Sequence, residues 1–429
     1  MRSSTGGGLE TPDVRDGLPA TLSLYRFLTT AGAPLAPLLL SYRLNRGKED
    51  PARLGERRGE AGVARSPGPL LWVHGASVGE ITAVLPLINH FCAEGVAVLV
   101  TSGTTTSAEL AQQRLPAGAI HQFVPLDVPA FASRFLDHWQ PALALFVESD
   151  LWPNLVLASA ERKIPLVLLN GRVSQRSFAR WSRIPQTIGA VLQRFDLCLA
   201  QSPADAERYG RLGAQRVVMT GNLKLDVPAP TAEPAELEAM RAAISGRPVL
   251  AAASTHSGEE AAVMDAHQQL RPRFPNLLTI LVPRHPHRGA EIEELARSSS
   301  LAPALRSRGQ MPDANTEIYV ADTMGELGLI YRIASVVFMG GSLVEHGGQN
   351  PIEPVKLGAA IVHGPHVWNF ADIYSALDAA GGAEQVDDAA SLAACTGSWL
   401  TDDQRRKAVT EAGRRTVDVL GGAFDRTLQ

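Results

Sequence analysis

The sequence predicts an α/β protein built from two parallel-sheet domains that face a cleft, and three observations carry that prediction. From about residue 70, short apolar runs rich in β-branched residues alternate with longer helix-like stretches. The alternation stops at the proline-rich connection Asp226–Pro234 and then starts again. The length of 429 residues suits two domains, and 45% apolar against 20% charged residues supplies enough surface for two cores.

Along the first half, strands are expected at Leu70–His74, Val96–Thr101, Ala142–Val147, Leu166–Leu169, Leu197–Ala200 and Val217–Thr220. The second half gives Val249–Ala253, Leu277–Val282, Ile318–Ala321, Val336–Met339 and Ala360–Val362. In open α/β sheets ligands bind beyond the carboxyl ends of the strands, so the residues that follow each run are the functional candidates. The resulting domains are 66–228 and 229–429, with the helix-like C-terminal stretch able to pack back across.

Residues 1–20 read as a mobile tail, because Gly6-Gly7-Gly8 and then Glu10, Asp13, Arg15 and Asp16 interrupt any apolar start. Residues 21–65 read as an apolar and basic membrane-associating segment. Phe27 to Tyr42 are sixteen uncharged residues broken by Pro34 and Pro37, whereas a membrane span needs about 20. Two readings stand, a bent helix packed on the protein or a monotopic anchor. Arg43, Arg46, Lys48, Arg53, Arg57, Arg58 and Arg65 would favour an anionic lipid surface on the cytoplasmic side.

The formal charge of −4 supplies no general basic field, which argues against a nucleic-acid partner. Cys92, Cys198 and Cys395 are too far apart for a C-x-x-C motif, so neither a disulfide framework nor a zinc ribbon is expected. The chain has no G-x-G-x-x-G after its first strand, no P-loop and no H-E-x-x-H. A two-domain α/β protein without those fingerprints suits a nucleotide-sugar enzyme.

Glu80 follows the first strand in Trp72-Val-His-Gly-Ala-Ser-Val-Gly-Glu80. It is placed either to accept a proton from an incoming hydroxyl or to cap the next helix. His74 reads as polar support or as an ordinary buried histidine. Glu148 and Asp150 end the third run, where a carboxylate can stabilise positive charge or simply hold the turn that Trp152 and Pro153 fill. Arg172, Arg176, Arg180, Arg183 and Arg194, with no acid among them, form a basic patch interleaved with Phe178 and Trp181. If helical, it presents one guanidinium face to phosphate on a lipid or sugar, or to solvent. Lys224 comes just before the connection, where it can meet a phosphate or an acid.

In the second half, the Ser254–Glu260 loop is either an anion site or a capping box. Arg284 comes straight off a strand end and suits a nucleotide phosphate. His285 and His287 lack a second cluster that would make a metal site, so no metal is expected. The glycine pairs in Gly340-Gly341 and Gly347-Gly348 are expected to turn backbone N–H groups toward phosphate, and Glu353 to accept both hydroxyls of a ribose.

Taken together, the blocks S-V-G-E, E-S-D-L-W-P-N, N-G-R-V-S, G-N-L-K-L-D, S-T-H-S-G-E-E, V-P-R-H-P, D-T-M-G-E-L and G-G-Q-N-P-I-E fall between Leu70 and Asn369. In this order they resemble the 3-deoxy-D-manno-octulosonic acid (Kdo) transferases. The resemblance implies two Rossmann-like domains of the GT-B type and an inverting glycosyltransferase that moves Kdo from CMP-Kdo to a glucosamine hydroxyl of a lipid A precursor. It implies work at the cytoplasmic face of the bacterial inner membrane, in lipopolysaccharide biosynthesis, with no cofactor besides the donor. The family's catalytic base falls on Glu80 and its transition-state stabilisers on Glu148 and Lys224. Its CMP contacts fall on Pro283 and Arg284, on Met324, Gly325 and Glu326, and on Asn350, Pro351, Ile352 and Glu353. Gln349 departs from the family by standing where His is common, and the N-terminal apolar segment departs by its prolines. A GT-B enzyme acting on another nucleotide sugar, or a non-catalytic binding protein of the membrane surface, remain the alternatives.

Overall fold

The computed structural model describes residues 17–429; most of the tail expected at 1–20 lies outside the described residues. The chain divides into two compact units, one that runs to Val227 and regains Ala423–Gln429, and one that comprises Pro228–Gly422.

The first unit holds seven parallel strands: β1 (Leu70–His74), β2 (Ala97–Ser102), β3 (Ala119–Phe123), β4 (Leu143–Val147), β5 (Leu166–Gly171), β6 (Leu197–Ala200) and β7 (Val217–Met219). Their order is β3-β2-β1-β4-β5-β6-β7. β1 is buried along its whole length, as a strand covered by helices on both faces must be. Its side chains alternate between two cores. Leu70 and Trp72 pack with Phe135, Phe146 and Trp139 on one face, and Leu71 and Val73 with Ile81, Ile88 and Leu145 on the other.

The second unit repeats the plan with β8 (Val249–Thr255), β9 (Leu278–Pro283), β10 (Pro303–Leu305), β11 (Ile318–Val320), β12 (Val336–Met339), β13 (Ala360–His363) and β14 (Ala383–Gln385). Their order is β10-β11-β9-β8-β12-β13-β14. In each sheet the chain first builds one side of its first strand and then crosses to that strand's other side, although in the second sheet β11 inserts between β9 and the edge strand β10. The reversals lie between β1 and β4 and between β8 and β12, and loops part at such points to leave room for a ligand.

All the runs expected to be strands are strands, with ends shifted by a residue or two. The unexpected ones, β3, β10 and β14, all lie at sheet edges. Edge strands are covered on fewer sides and need less apolar sequence; β3 reads Ala-Ile-His-Gln-Phe, and the other two have three residues each.

The apolar N-terminal segment forms one helix at Ala20–Gly32, a 3-10 turn at Ala33–Leu35, and a second helix at Ala36–Asn45. Pro34 and Pro37 sit in the first turns of their elements, where a missing N–H costs nothing. Leu22 joins the core of the first unit, and the Tyr25 hydroxyl donates to Asp127 at 2.8 Å, so this segment is built into the unit. Its other side is apolar and open: Phe27, Leu28, Leu35, Leu38, Leu39 and Tyr42 are 47–69% exposed. Among the described residues no helix is long and apolar enough to cross a membrane.

Two expectations about basic residues are corrected. Much of the basic flank after Tyr42 is spent internally: Arg57 is buried and paired with Glu49 at 2.8 Å, Arg43 also pairs with Glu49, and Arg53 pairs with Glu56. Arg46 and Lys48 remain exposed. The run of arginines from Arg172 to Arg194 does not share one face, because it forms two helices, Gln175–Trp181 and Pro185–Leu192. Pro185 starts the second, so Arg176 and Arg180 alone are spaced on one helix to project together.

Candidate active site

Ser77 caps the helix Val78–Ala93, its hydroxyl accepting from the Glu80 N–H, while the Glu80 carboxylate accepts from Ala76 N–H at 2.7 Å and from the Ser77 hydroxyl at 2.9 Å. Glu80 therefore does cap the helix start. Burial raises its pKa above the ordinary value, and the negative charge of Glu148 raises it further, while the bonds from Ser77 and Ala76 pull the other way. A half-buried carboxylate with a raised pKa, facing a second carboxylate, is equipped to take up a proton.

Glu148 follows β4 in a left-handed conformation, φ 61°, which a non-glycine residue adopts only when its surroundings hold it there. The Tyr209 hydroxyl donates to its carbonyl at 3.2 Å, and Lys224 Nζ lies 2.5 Å from its Oε1. Lys224 reaches this position through the 3-10 turn Leu223–Leu225, whose first two amides are each held by an asparagine side chain. Asn222 accepts from Lys224 N–H, and the buried Asn170 at the end of β5 accepts from Leu223 N–H at 2.9 Å. Next to Asn170, Gly171 has no room for a side chain, since a Cβ would stand 2.8 Å from the Tyr209 ring. Asn170 and Tyr209 thus position Glu148 and Lys224, a role that the N-G-R-V-S block hinted at and that sequence reading did not assign.

His74 is fully buried and bridges Thr101 at 2.9 Å and Asp150 at 3.3 Å. Asp150 also accepts from the Trp152 indole at 2.9 Å. Burial acts to raise the Asp150 pKa, but these two donors outweigh it and hold the group below its usual value. Asp150 is therefore an anionic support for His74. The three residues Glu80, Glu148 and Lys224 come together at the sheet reversal of the first unit, whereas the exposed Arg176, Arg180 and Arg183 stand on a separate segment.

In the second unit, Pro283 ends β9 and Arg284 follows it, Met324 to Glu326 follow β11, and Asn350 to Glu353 follow β12 at the start of the short helix Ile352–Lys356. Met324 is 75% exposed, whereas Pro283, Pro351 and Ile352 are buried. Arg306 grips Glu326 through Nη2 at 2.6 Å and Nε at 3.0 Å, and Thr323 also donates to it. Burial opposes the charge on Glu326, yet these donors keep its pKa below the ordinary value. Asn350 accepts from Ile352 N–H at 3.0 Å and donates to Glu353 at 3.3 Å.

Around its first glycine pair, the loop after β12 is not the open phosphate cradle expected from its sequence. Glu259, fully buried, has already filled it: one carboxylate oxygen accepts from His256 N–H and Gly341 N–H, the other from Ser342 N–H and Leu343 N–H, all at 2.7–3.0 Å. Gly340 lets this loop approach β8, since a Cβ there would lie 2.5 Å from the Ser254 carbonyl oxygen. Both acids of the S-T-H-S-G-E-E block are committed inside the protein, because Glu260 accepts from Thr255 at 2.9 Å and from Arg288 at 2.6 Å. Among the described residues no group of three or more His, Cys, Asp and Glu side chains is placed to hold a metal ion.

A solved glycosyltransferase from Rickettsia africae is 13% identical to this chain and superimposes with a TM-score of 0.58, covering 85% of this chain and 97% of that one. Two Rossmann-like units with their polar groups at the strand ends make this a protein of the GT-B glycosyltransferase fold. Residues 52–227 match the family described as 3-deoxy-D-manno-octulosonic-acid transferase (kdotransferase). A 3-deoxy-D-manno-octulosonic acid transferase of Haemophilus influenzae is 34% identical over 88% of this chain and 90% of its own length. The enzyme of the same name from Bordetella pertussis is 35% identical over 93% and 97%. The chain belongs to the 3-deoxy-D-manno-octulosonic acid transferase family.

Proposed function

We propose that this enzyme moves Kdo from CMP-Kdo to a glucosamine hydroxyl of a lipid A precursor, with inversion at the anomeric carbon, at the cytoplasmic face of the inner membrane. The observation that carries the reading is the grouping of Glu80, Glu148 and Lys224 at the reversal of the first sheet. Glu80 takes the proton of the acceptor hydroxyl as the oxygen attacks the anomeric carbon. The bond from that carbon to the CMP phosphate breaks, and its electron pair leaves with the phosphate. Glu148, held by Lys224, offers a fixed negative charge to the electron-poor sugar carbon of the transition state. In the second unit, Arg284 neutralises the leaving phosphate, and Asn350 with Glu353 takes the ribose hydroxyls. CMP is already a fair leaving group, so the step requires no cofactor or metal.

The direct test incubates a tetraacylated lipid A precursor with the purified protein and CMP-Kdo generated in place, read by mass spectrometry. The reading expects a gain of one or more Kdo units, and no gain in the presence of bound CMP would send the acceptor assignment elsewhere. CMP, and not UDP or GDP, should raise the melting temperature; protection by UDP instead would favour a different nucleotide sugar.

The Glu148 charge also sets a pH dependence. Glu80 works ionised, and its pKa is raised partly by Glu148. Glu148→Gln therefore lowers the Glu80 pKa, and the acid limb of the kcat/KM profile moves to lower pH even as the maximal rate falls. An acid limb that stays in place would separate the two groups.

The open apolar side of the Ala20–Asn45 segment is the proposed membrane contact. Burying Phe27 and Leu38 in a bilayer is worth about 2 kcal/mol each, so Phe27→Asp with Leu38→Asp is expected to cut flotation with anionic liposomes by at least about 10-fold. Equal flotation of wild type and double variant would remove this surface from the membrane.

A further inference from the structure

The Glu259 carboxylate occupies the amides of His256, Gly341, Ser342 and Leu343, so at this part of the loop the negative charge of a phosphate is left to side chains. The groups beside that filled loop are cationic or able to become so. His256 follows β8, His346 lies in the loop after β12, and their rings stack 4.1 Å apart at 14°. The His285 ring is 6.1 Å from that of His256, and the His287 ring is 5.7 Å from that of His285. Arg284 stands exposed in the same group with no carboxylate partner among the described residues. His256 and His346 leave from β8 and β12, the two strands between which the second sheet reverses, where an α/β sheet receives its ligand.

We propose that His256 and His346, together with Arg284, form a proton-linked seat for the nucleotide phosphate. The proposal rests on the CMP-Kdo reading above and adds to it two residues and a proton. As the bond from the anomeric carbon to the phosphate oxygen breaks, the electron pair stays on that oxygen, and a singly charged phosphodiester becomes a doubly charged monoester. A proton from solvent then settles on the imidazole pair, and the second negative charge meets a new positive one.

The charged surroundings fit this cycle. Burial lowers the His256 pKa to about 4, and His346, His285, Arg284 and Arg288 add to the effect, so the ring is neutral before an anion arrives. Burial, Arg284, His287, Arg288 and His346 likewise lower that of the exposed His285. The acids on the adjoining elements do not offset this: Glu259 is held by four backbone amides, Glu260 by Arg288 and Thr255, and Glu291 by Arg288. Gln349, 3.3 Å from His256 Nε2, is neutral. An arriving phosphate brings a counter-charge that opposes the burial and the repulsion that keep His256 uncharged.

The test is calorimetric titration of the full chain with CMP at pH 7 in two buffers of different ionisation enthalpy, which counts protons exchanged. The expected result is uptake of on the order of one proton per CMP, none with cytidine, and a loss of both the uptake and about 10-fold in CMP affinity in His256→Gln and in His346→Gln. CMP binding with no proton uptake, or with the same uptake in both variants, overturns the proposal and leaves the donor reading standing. Failure to bind CMP, with inorganic phosphate still driving uptake that the variants abolish, upholds the seat and removes the donor reading. Absence of uptake with either compound overturns the seat.

Discussion

Glu80→Gln is expected to reduce kcat for sugar transfer by about 10²- to 10⁴-fold, the range that one positioned base contributes, or roughly 3–5 kcal/mol of transition-state stabilisation. The amide keeps an oxygen to accept from Ala76 N–H or the Ser77 hydroxyl, so the helix start survives and the unfolding midpoint should hardly move. CMP affinity should be unchanged, because the CMP contacts proposed here all lie in the second unit. Single-turnover kinetics on preformed CMP-Kdo separate chemistry from product release. A variant with wild-type turnover in that assay would take the base role away from Glu80.

The second large effect is structural. Glu259→Ala removes the acceptor of four backbone N–H groups at once. An unsatisfied buried amide costs about 1–3 kcal/mol, and after water and loop relaxation recover part of that, a destabilisation of about 3–5 kcal/mol is expected for the second unit. Hydrogen exchange at Gly341, Ser342 and Leu343 is the suitable reading, because a two-unit chain need not unfold in one step. Glu259→Gln, with one acceptor oxygen left, should fall in between. Protection at these amides that is the same in Glu259→Ala and wild type would mean that the loop is held by something else. The contrast with Glu80 is instructive: two glutamates near the starts of the helices that follow β1 and β8 have opposite fates, one half-buried beside a second carboxylate and the other fully enclosed by amides.

Periodicity made both sheets legible in the sequence, since buried parallel strands leave unbroken apolar runs such as Leu70–His74 and Val336–Met339. It failed at the sheet edges, where β3 carries His121 and Gln122 because fewer neighbours cover it. Strand-end logic offered Glu80 and Glu148 as candidates, the place before the connection offered Lys224, and the resemblance assigned their roles; none of these could show that Lys224 pairs with Glu148, because that contact spans 76 positions of sequence and depends on how Asn170 pins a turn. The glycine-rich loop misled for the same reason. A backbone nest looks alike in sequence whether a ligand or a distant carboxylate fills it, and Glu259 lies 82 positions before Gly341. The basic run does not form one face because Pro185 begins a second helix within it.

The last helix, Ala423–Leu428, belongs to the first unit, where Ala423 is enclosed in the core, Phe424 N–H donates to Asp226, and Arg426 donates to the Thr220 carbonyl. Those contacts clamp both ends of the stretch that carries Lys224. During synthesis, domains generally fold as units in order of their emergence, yet here the first unit takes one of its helices from sequence that follows the whole of the second. A chain cut before Ala423 would keep the bonds of Asn170 and Asn222 to the Lys224 turn and lose the Phe424 and Arg426 bonds on either side of it, so the turn would be held from within the first sheet alone.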